Sequence, residues 1–246
     1  MRPIGFSTGA LAFGDFRRGL EIVRDNGLKA VELSALREPE VEPLMVALDE
    51  LDLSGFDYVA VHAPSGMGPD GEQRVVDRLL AAKQRGWPII LHPDAVHEPS
   101  RWDVFGDCLC IENMDKRKST GRSALELSAW FERYPDAGFC LDLGHARQCD
   151  ATMTEAYFLL KQYGSRLRQI HISEVTAASK HDRLSWSSEK AFQQVARYVP
   201  EDVPIVIESV IAAGEVPAEV ERVRRALTSH QAQAGSEVQQ RELRTT

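Results

Sequence analysis

Residues 138–146 read GFCLDLGHA: an apolar run gives way to Asp142 and, three residues on, to His145. Four other short apolar runs end the same way: YVAVHAP at His62, PIILHP at His92, CLCIEN at Glu112 and LRQIHIS at His171. A sixth, VPIVIES, ends at Glu208. Each run finishes on one metal-ligand-type residue just before a turn. Strands that all deliver such a residue at their C-terminal ends describe a parallel barrel with one site at its mouth. The expected fold is α/β, a single (β/α)8 TIM barrel over residues 1–228, with a polar tail at 229–246.

Working outward, strands are expected at 4–7, 30–33, 58–62, 89–92, 108–113, 167–172 and 205–208, besides the run at 138–146. Helices are expected between them at 16–26, 41–51, 72–85 and 188–199. Ser123 and Glu126, and Thr152 and Glu155, have the spacing of capping boxes that open two more helices. Val220, Val223 and Leu227 give a last helical stripe. The return after the fourth strand, PDAVHEPSRWDVFGD, is interrupted by proline and holds at most a short helix. Such alternation implies a parallel sheet covered by helices.

Parity supports closure, because residues two apart on a strand share a face. Counting back by two gives Ala30 from Glu32, Ala60 from His62, Ile90 from His92 and Cys110 from Glu112. It also gives Cys140 from Asp142, Gln169 from His171 and Val206 from Glu208. Most of these are small or medium-sized, as a crowded barrel interior demands. Cys108, Cys110 and Cys140 are read as interior filling, and the four cysteines suggest no disulfide framework.

With 246 residues, 43% of them hydrophobic and 27% charged, the chain has the composition of a soluble globular protein able to bury one large core. No apolar run is long enough to span a membrane, and the first sixteen residues lack the pattern of a signal peptide. The cytoplasm is the default location. A net charge of −8 argues against a broad nucleic-acid surface.

Glu112, Asp142, His171 and Glu208 form the candidate metal group. Three carboxylates in one barrel mouth repel one another, and a divalent cation is the simplest way to hold them ionised. Ligand type alone admits Mn, Mg, Co or Zn. His62, His92, His145 and His181 also fall at strand ends or in the loops just after them, and form a second group, whereas His97 and His230 look incidental. Glu32 is a reserve base or a partner for Arg37. The loops on the same face are basic: Arg37 follows the second strand, Lys116, Arg117, Lys118 and Arg122 the fifth, Arg147 the sixth, and Lys180 and Arg183 the seventh. A cleft of one sign attracts the opposite charge, so an anionic substrate is expected there.

The residues HAP at His62, LHP at His92, IEN at Glu112, LDLGHA from Asp142, HISE from His171 and IES at Glu208 resemble the xylose isomerase-like TIM-barrel superfamily. It includes sugar epimerases of the tagatose 3-epimerase type, hydroxypyruvate isomerase and endonuclease IV-type apurinic endonucleases. The resemblance covers residues 4–211. It implies that Glu112, Asp142, His171 and Glu208 bind the metal of the epimerase-type members. It also aligns His62, His92, His145 and His181 with residues that help bind three zincs in the endonuclease-type members. Where those endonucleases carry an Asp two residues before the last histidine, this chain has Ser179, and the Gly-Glu-Gly that often follows is absent.

The leading expectation is a metal-dependent isomerase or epimerase of a small hydroxy-carbonyl compound, a sugar, sugar phosphate or sugar acid, with one to three ions per chain. Glu112 and Glu208 would move the proton, and His145 and Glu174 would orient hydroxyls. The alternative is a phosphoester or phosphodiester hydrolase with two or three metals, which the extra histidines favour.

Overall fold

The structure, a computed structural model, describes residues 2–228; the tail expected at 229–246 lies outside them. The barrel strands are β1 (Ile4–Ser7), β2 (Ala30–Ser34), β3 (Tyr58–His62), β4 (Ile89–Leu91), β5 (Leu109–Glu112), β6 (Gly138–Asp142) and β7 (Leu167–Ile172). A hairpin of β8 (Glu174–Val175) and β9 (His181–Asp182) precedes the last barrel strand, β10 (Ile205–Ile207). The eight barrel strands close in the order β1-β10-β7-β6-β5-β4-β3-β2, every pair parallel. The helices are α1 (Thr8–Ala12), α2 (Phe16–Asp25), α3 (Glu38–Ala47), α4 (Pro69–Lys83), α5 (Ala124–Arg133), α6 (Leu143–Cys149), α7 (Thr154–Tyr163), α8 (Trp186–Gln193) and α9 (Val216–Ala226).

Register carries the parity argument round the ring. Gly5 pairs with Ala30 and Val206, Glu32 with Ser7 and Ala60, and His62 with Ser34 and Ile90. Cys110 pairs with Ile90 and Gly138, Cys140 with Glu112 and Gln169, and His171 with Asp142 and Val206. Interior residues therefore neighbour only interior residues. The residues between them, such as Val31, Leu33, Val61, Ile111, Leu141, Ile172 and Ile207, pack outward against the helices in the main core. Ile90, Cys110 and Cys140 form a separate buried cluster inside the barrel. Cys108 departs from the expectation: it is partly exposed, because β5 begins one residue later at Leu109.

Three local expectations are corrected. The run 138–146 is strand only to Asp142; α6 begins at Leu143, with the Asp142 side chain accepting from the His145 N–H at 2.7 Å. Aspartate at the N-cap turns the chain from strand into helix. Ser123 does cap α5, accepting from the Glu126 N–H at 3.2 Å, but Glu126 reaches to the Arg122 N–H instead of the cap. The box at Thr152 does not form: Met153 sits in the left-handed region at φ 61°, and Asp150 accepts from the Glu155 N–H at 3.0 Å.

The proline-interrupted return after β4 forms two 3-10 segments, Pro93–Ala95 and Pro99–Cys108, with no α-helix. One carboxylate replaces the missing helix's hydrogen bonds. Fully buried Glu72 accepts from the His97 and Glu98 N–H groups at 2.8 and 2.9 Å, and from the Trp102 indole at 2.9 Å. A buried carboxylate is stable only when saturated in this way.

Gly5 marks the tightest point of the interior, since a Cβ there would lie 1.5 Å from the Ala30 carbonyl oxygen. Strands cannot separate to admit it without breaking the ladder. Gly5→Ala is expected to lower stability by about 3 kcal/mol or more, at the upper end for overpacked sites. Urea unfolding followed by far-UV circular dichroism measures it; an unchanged midpoint would show that β1 and β2 yield at no cost.

Candidate metal centre

The mouth of the barrel is a cavity of about 340 Å³ lined by His62, His92, Glu112, His145, His181 and Glu208 among others. Glu112, at the end of β5, is the hub. Its Oε2 lies 3.3 Å from His62 Nε2, 3.2 Å from His92 Nε2 and 3.5 Å from His171 Nδ1, and its Oε1 lies 3.2 Å from His145 Nδ1. Glu208 Oε2 is 3.5 Å from His171 Nδ1 and 3.4 Å from His181 Nδ1.

Five overlapping groups bring ligand atoms within 4.8 Å of one another, and three of them together hold every candidate ligand: His62, His92 and Glu112; Glu112, Asp142, His171 and Glu208; Asp142, His145 and His181. All eight residues expected from the sequence as ligands are thus in one place, in overlapping sets. The hairpin β8–β9 delivers His181, and the Ser173 hydroxyl lies 2.7 Å from its Nδ1.

Hydrogen bonds fix the ring nitrogens. His62 Nδ1 donates to the Ala63 carbonyl at 2.6 Å, which leaves the Nε2 lone pair facing Glu112. His171 Nε2 donates to Glu32 Oε2 at 2.8 Å, which turns its Nδ1 into the site. His92 Nδ1, His171 Nδ1 and Asp142 Oδ2 are buried and have no hydrogen-bond partner. Lone pairs facing carboxylates across 3.3–3.5 Å need a proton or a cation between them. The donor set therefore fits divalent ions, nitrogen-rich in two groups and carboxylate-rich in the third.

Superposition places this architecture among known ones. It matches endonuclease IV from Thermus thermophilus with a TM-score of 0.62 and 18% identity, over 92% of this chain and 98% of that one. It matches 3-keto-D-glucoside 4-epimerase from E. coli with a TM-score of 0.54 and 12% identity, over 92% and 99%. A xylose isomerase-like TIM barrel protein from Mycobacterium smegmatis, in complex with magnesium, gives 0.55 and 13%, over 93% and 98%. The fold is a single (β/α)8 TIM barrel, similar to that of these proteins. No family model matches the sequence, and neither does any curated protein.

In this barrel the residues behind the candidate ligands were the ones sequence reasoning missed. Glu32 is neither a free base nor a partner of Arg37. It is fully buried, and it holds His171 while accepting from Gln169 Nε2 at 2.7 Å. Tyr58 in turn donates to Gln169 Oε1 at 2.6 Å. Asn113 clasps the end of β6, donating to the Asp142 carbonyl at 2.9 Å and accepting from its N–H at 2.8 Å. His145 Nδ1 donates to the Asn113 carbonyl at 2.9 Å. The signal was available in part, for Glu32 and Gln169 share the interior parity.

The basic loops are corrected more heavily. Of the residues expected to bind an anion, Lys118 alone lines the cavity, and it pairs with Asp94 at 2.8 Å. Arg122 is paired with Glu126, Arg147 with Glu174 and Arg183 with Glu215. Arg37 pairs with Glu40, Arg117 donates to the Ala178 carbonyl, and Lys116 and Lys180 are exposed on the rim. Glu174 is occupied too, accepting from the Ser185 N–H and the Ser188 hydroxyl, each at 3.0 Å. Lys118, Arg147 and Arg183 found acidic neighbours distant in the chain, and Arg37 and Arg122 found theirs three and four residues on.

Without metal, the imidazoles neutralise the carboxylates. Burial by itself lowers the pKa of His62 and His145, but Glu112, with Glu32 beside His62 and Asp142 beside His145, raises them to about 9 and about 10. Burial, helped by the charges of Glu112 and Asp142 and opposed by His171, raises Glu208 to about 8. From pH 6.5 to 10 the folded state thus holds protons that the unfolded chain has released, so its stability falls as pH rises. Divalent cations bound at these groups would replace those protons. Thermal melts of chelator-treated protein are expected to show a midpoint falling over that window, with divalent-ion affinity rising across it. A flat profile would mean the histidines are neutral. Glu32→Gln is expected to weaken ion binding by about 10- to 100-fold, as for other groups that orient a ligand histidine; calorimetry measures it, and unchanged affinity would make Glu32 a packing residue only.

Proposed function

We propose that this chain is a divalent-metal-dependent phosphoester hydrolase that holds two or three ions, with Glu112 and Asp142 shared between neighbouring ions. The observation that carries it is the sharing: Glu112 belongs to three ligand groups, one of them with Cys140, and Asp142 to two. A carboxylate common to two groups sets ions close together, as in two-metal phosphoryl-transfer sites. A site for a single ion needs only Glu112, Asp142, His171 and Glu208, and would leave His62, His92, His145 and His181 without employment. The endonuclease IV likeness agrees with the reading at the level of fold.

Bound divalent ions would polarise a phosphoryl oxygen and make a water acidic enough to attack phosphorus near neutral pH. The chain's own residues do the rest. Glu32 and Asn113 hold His171 and His145 in fixed orientations. The closed floor of Ile90, Cys110 and Cys140 keeps bulk water from below. Lys118 offers a cation at the rim to a phosphate oxygen when it leaves Asp94. The net charge of −8 favours a small anionic substrate met by this local cation over a long nucleic acid.

The second reading is the isomerase or epimerase, favoured by one observation: the group Glu112, Asp142, His171 and Glu208 is complete for one ion, and Glu112 and Glu208 each lie 3.5 Å from His171 Nδ1. The two carboxylates would then exchange a proton with a carbon beside a carbonyl.

Metal analysis separates the two. Protein saturated with zinc or manganese is expected to hold two or three ions per chain. Glu112→Ala should lose at least two of them, and His92→Ala one. Phosphate or alcohol release from a phosphoester panel, without deuterium entering carbon in D₂O, completes the expected result. One ion per chain, with deuterium placed on the carbon of a ketose or hydroxy-keto acid, would overturn it in favour of the isomerase.

A further inference from the structure

The cavity has two unlike walls. On one side the loops after β10, β1 and β2, which are adjacent strands, contribute Val210, Phe13 and Leu36. Directly across the ring from β1, four strands away in either direction, the loop after β5 contributes Asp115 and Lys118. One wall is apolar and the other is charged, with the ligand groups between them.

Phe13 stands out on the apolar wall. It is 61% exposed, and Val210 beside the same cavity is 41% exposed. Among the described residues, neither these two nor Leu36 packs against the main core. The backbone at Phe13 has φ 52° and ψ −121°, a conformation that suits glycine and strains a residue with a Cβ. It closes the turn after α1, where its N–H donates to the Gly9 carbonyl at 2.9 Å. Glycine would serve that turn better, and a polar residue would suit the exposure better. Fold stability therefore gives no reason for an aromatic ring at this position. A strained backbone at a cavity edge is the pattern of a residue kept for a ligand.

We infer that Phe13, flanked by Leu36 and Val210, is a stacking platform for a planar ring carried on the alcohol side of the phosphoester, so that the substrate is a nucleotide-like ester and not a bare sugar phosphate. The inference rests on the hydrolase reading for the placement of the phosphate at the ligand groups. An aromatic face attracts a base with little regard to its identity, and Lys118 opposite favours the anionic end. The platform binds; it takes no part in bond breaking. It discriminates between esters with a ring and esters without one.

The test compares two slowly hydrolysed probes on zinc-loaded protein by calorimetry: adenosine 5′-phosphorothioate, and methyl riboside 5-phosphorothioate, which is the same ester without the base. Wild type is expected to bind the adenosine ester at least about fivefold more tightly, the lower end for one base on one aromatic ring. Phe13→Ala should bring the two affinities together, and Phe13→Trp should restore the preference. Phe13→Gly should lose the preference while raising the thermal midpoint, because strain is relieved; a residue of structural importance would lower it. Equal binding of both probes by wild type, or a preference that survives Phe13→Ala, overturns the platform and leaves the hydrolase reading standing. Failure of both probes to bind overturns the two together.

Discussion

A closed parallel barrel has an inside that opens at its ends alone. Every second side chain of every strand is committed to that space, and the register decides which. Once Gly5, Ala30, Ala60, Cys110 and Cys140 face inward, so must Glu32, His62, Glu112, Asp142 and His171. A slip of one residue in any strand would turn its ligand into the apolar layer under the helices. The chemistry at the mouth and the packing below it are thus one constraint. The barrel cannot keep its core without also gathering its ligands.

Gathering them has an electrostatic cost that the molecule distributes with care. Glu32, Glu112 and Asp142 are almost entirely shielded from water, and isolated buried charges of one sign are costly. The imidazoles between them offset that cost. Three of the histidines have one ring nitrogen tied to a fixed acceptor: Ala63 for His62, Asn113 for His145, Glu32 for His171. The backbone carbonyls and the buried carboxylate behind the ligands therefore decide which lone pairs face the cavity. Preorganisation of this kind makes a cation the natural completion of the site.

The sequence disclosed what depends on local periodicity. The eight strands, their parity and the ligand residues follow from two-residue alternation ending in a polar residue before a turn. Three kinds of feature were out of reach. Helix α6 begins in the middle of an apolar run because Asp142 caps it, and nothing in LDLGHA separates that capping role from a place as a strand-end ligand. The partners of Arg147 and Arg183 are set by how helices and loops pack, which linear order does not encode, whereas Arg122 and Glu126 were an i,i+4 pair already visible in the chain. Glu32 was legible as an interior residue, but its role needed the register across to β7, half a chain away.

The cysteines beneath the site give the barrel an internal timer. Cys110 and Cys140 lie in the sealed layer with Ile90, at 1% and 0% exposure, and burial holds both thiols well above their ordinary pKa. A thiol that is neither ionised nor reachable does not react. Cys108 and Cys149 are partly exposed, though burial raises their thiols too, Cys149 to about 11. Alkylating reagents at alkaline pH should therefore tag these two first and the other two at the rate at which the ring of strands parts, which makes the slowest phase a direct reading of barrel opening in the folded population.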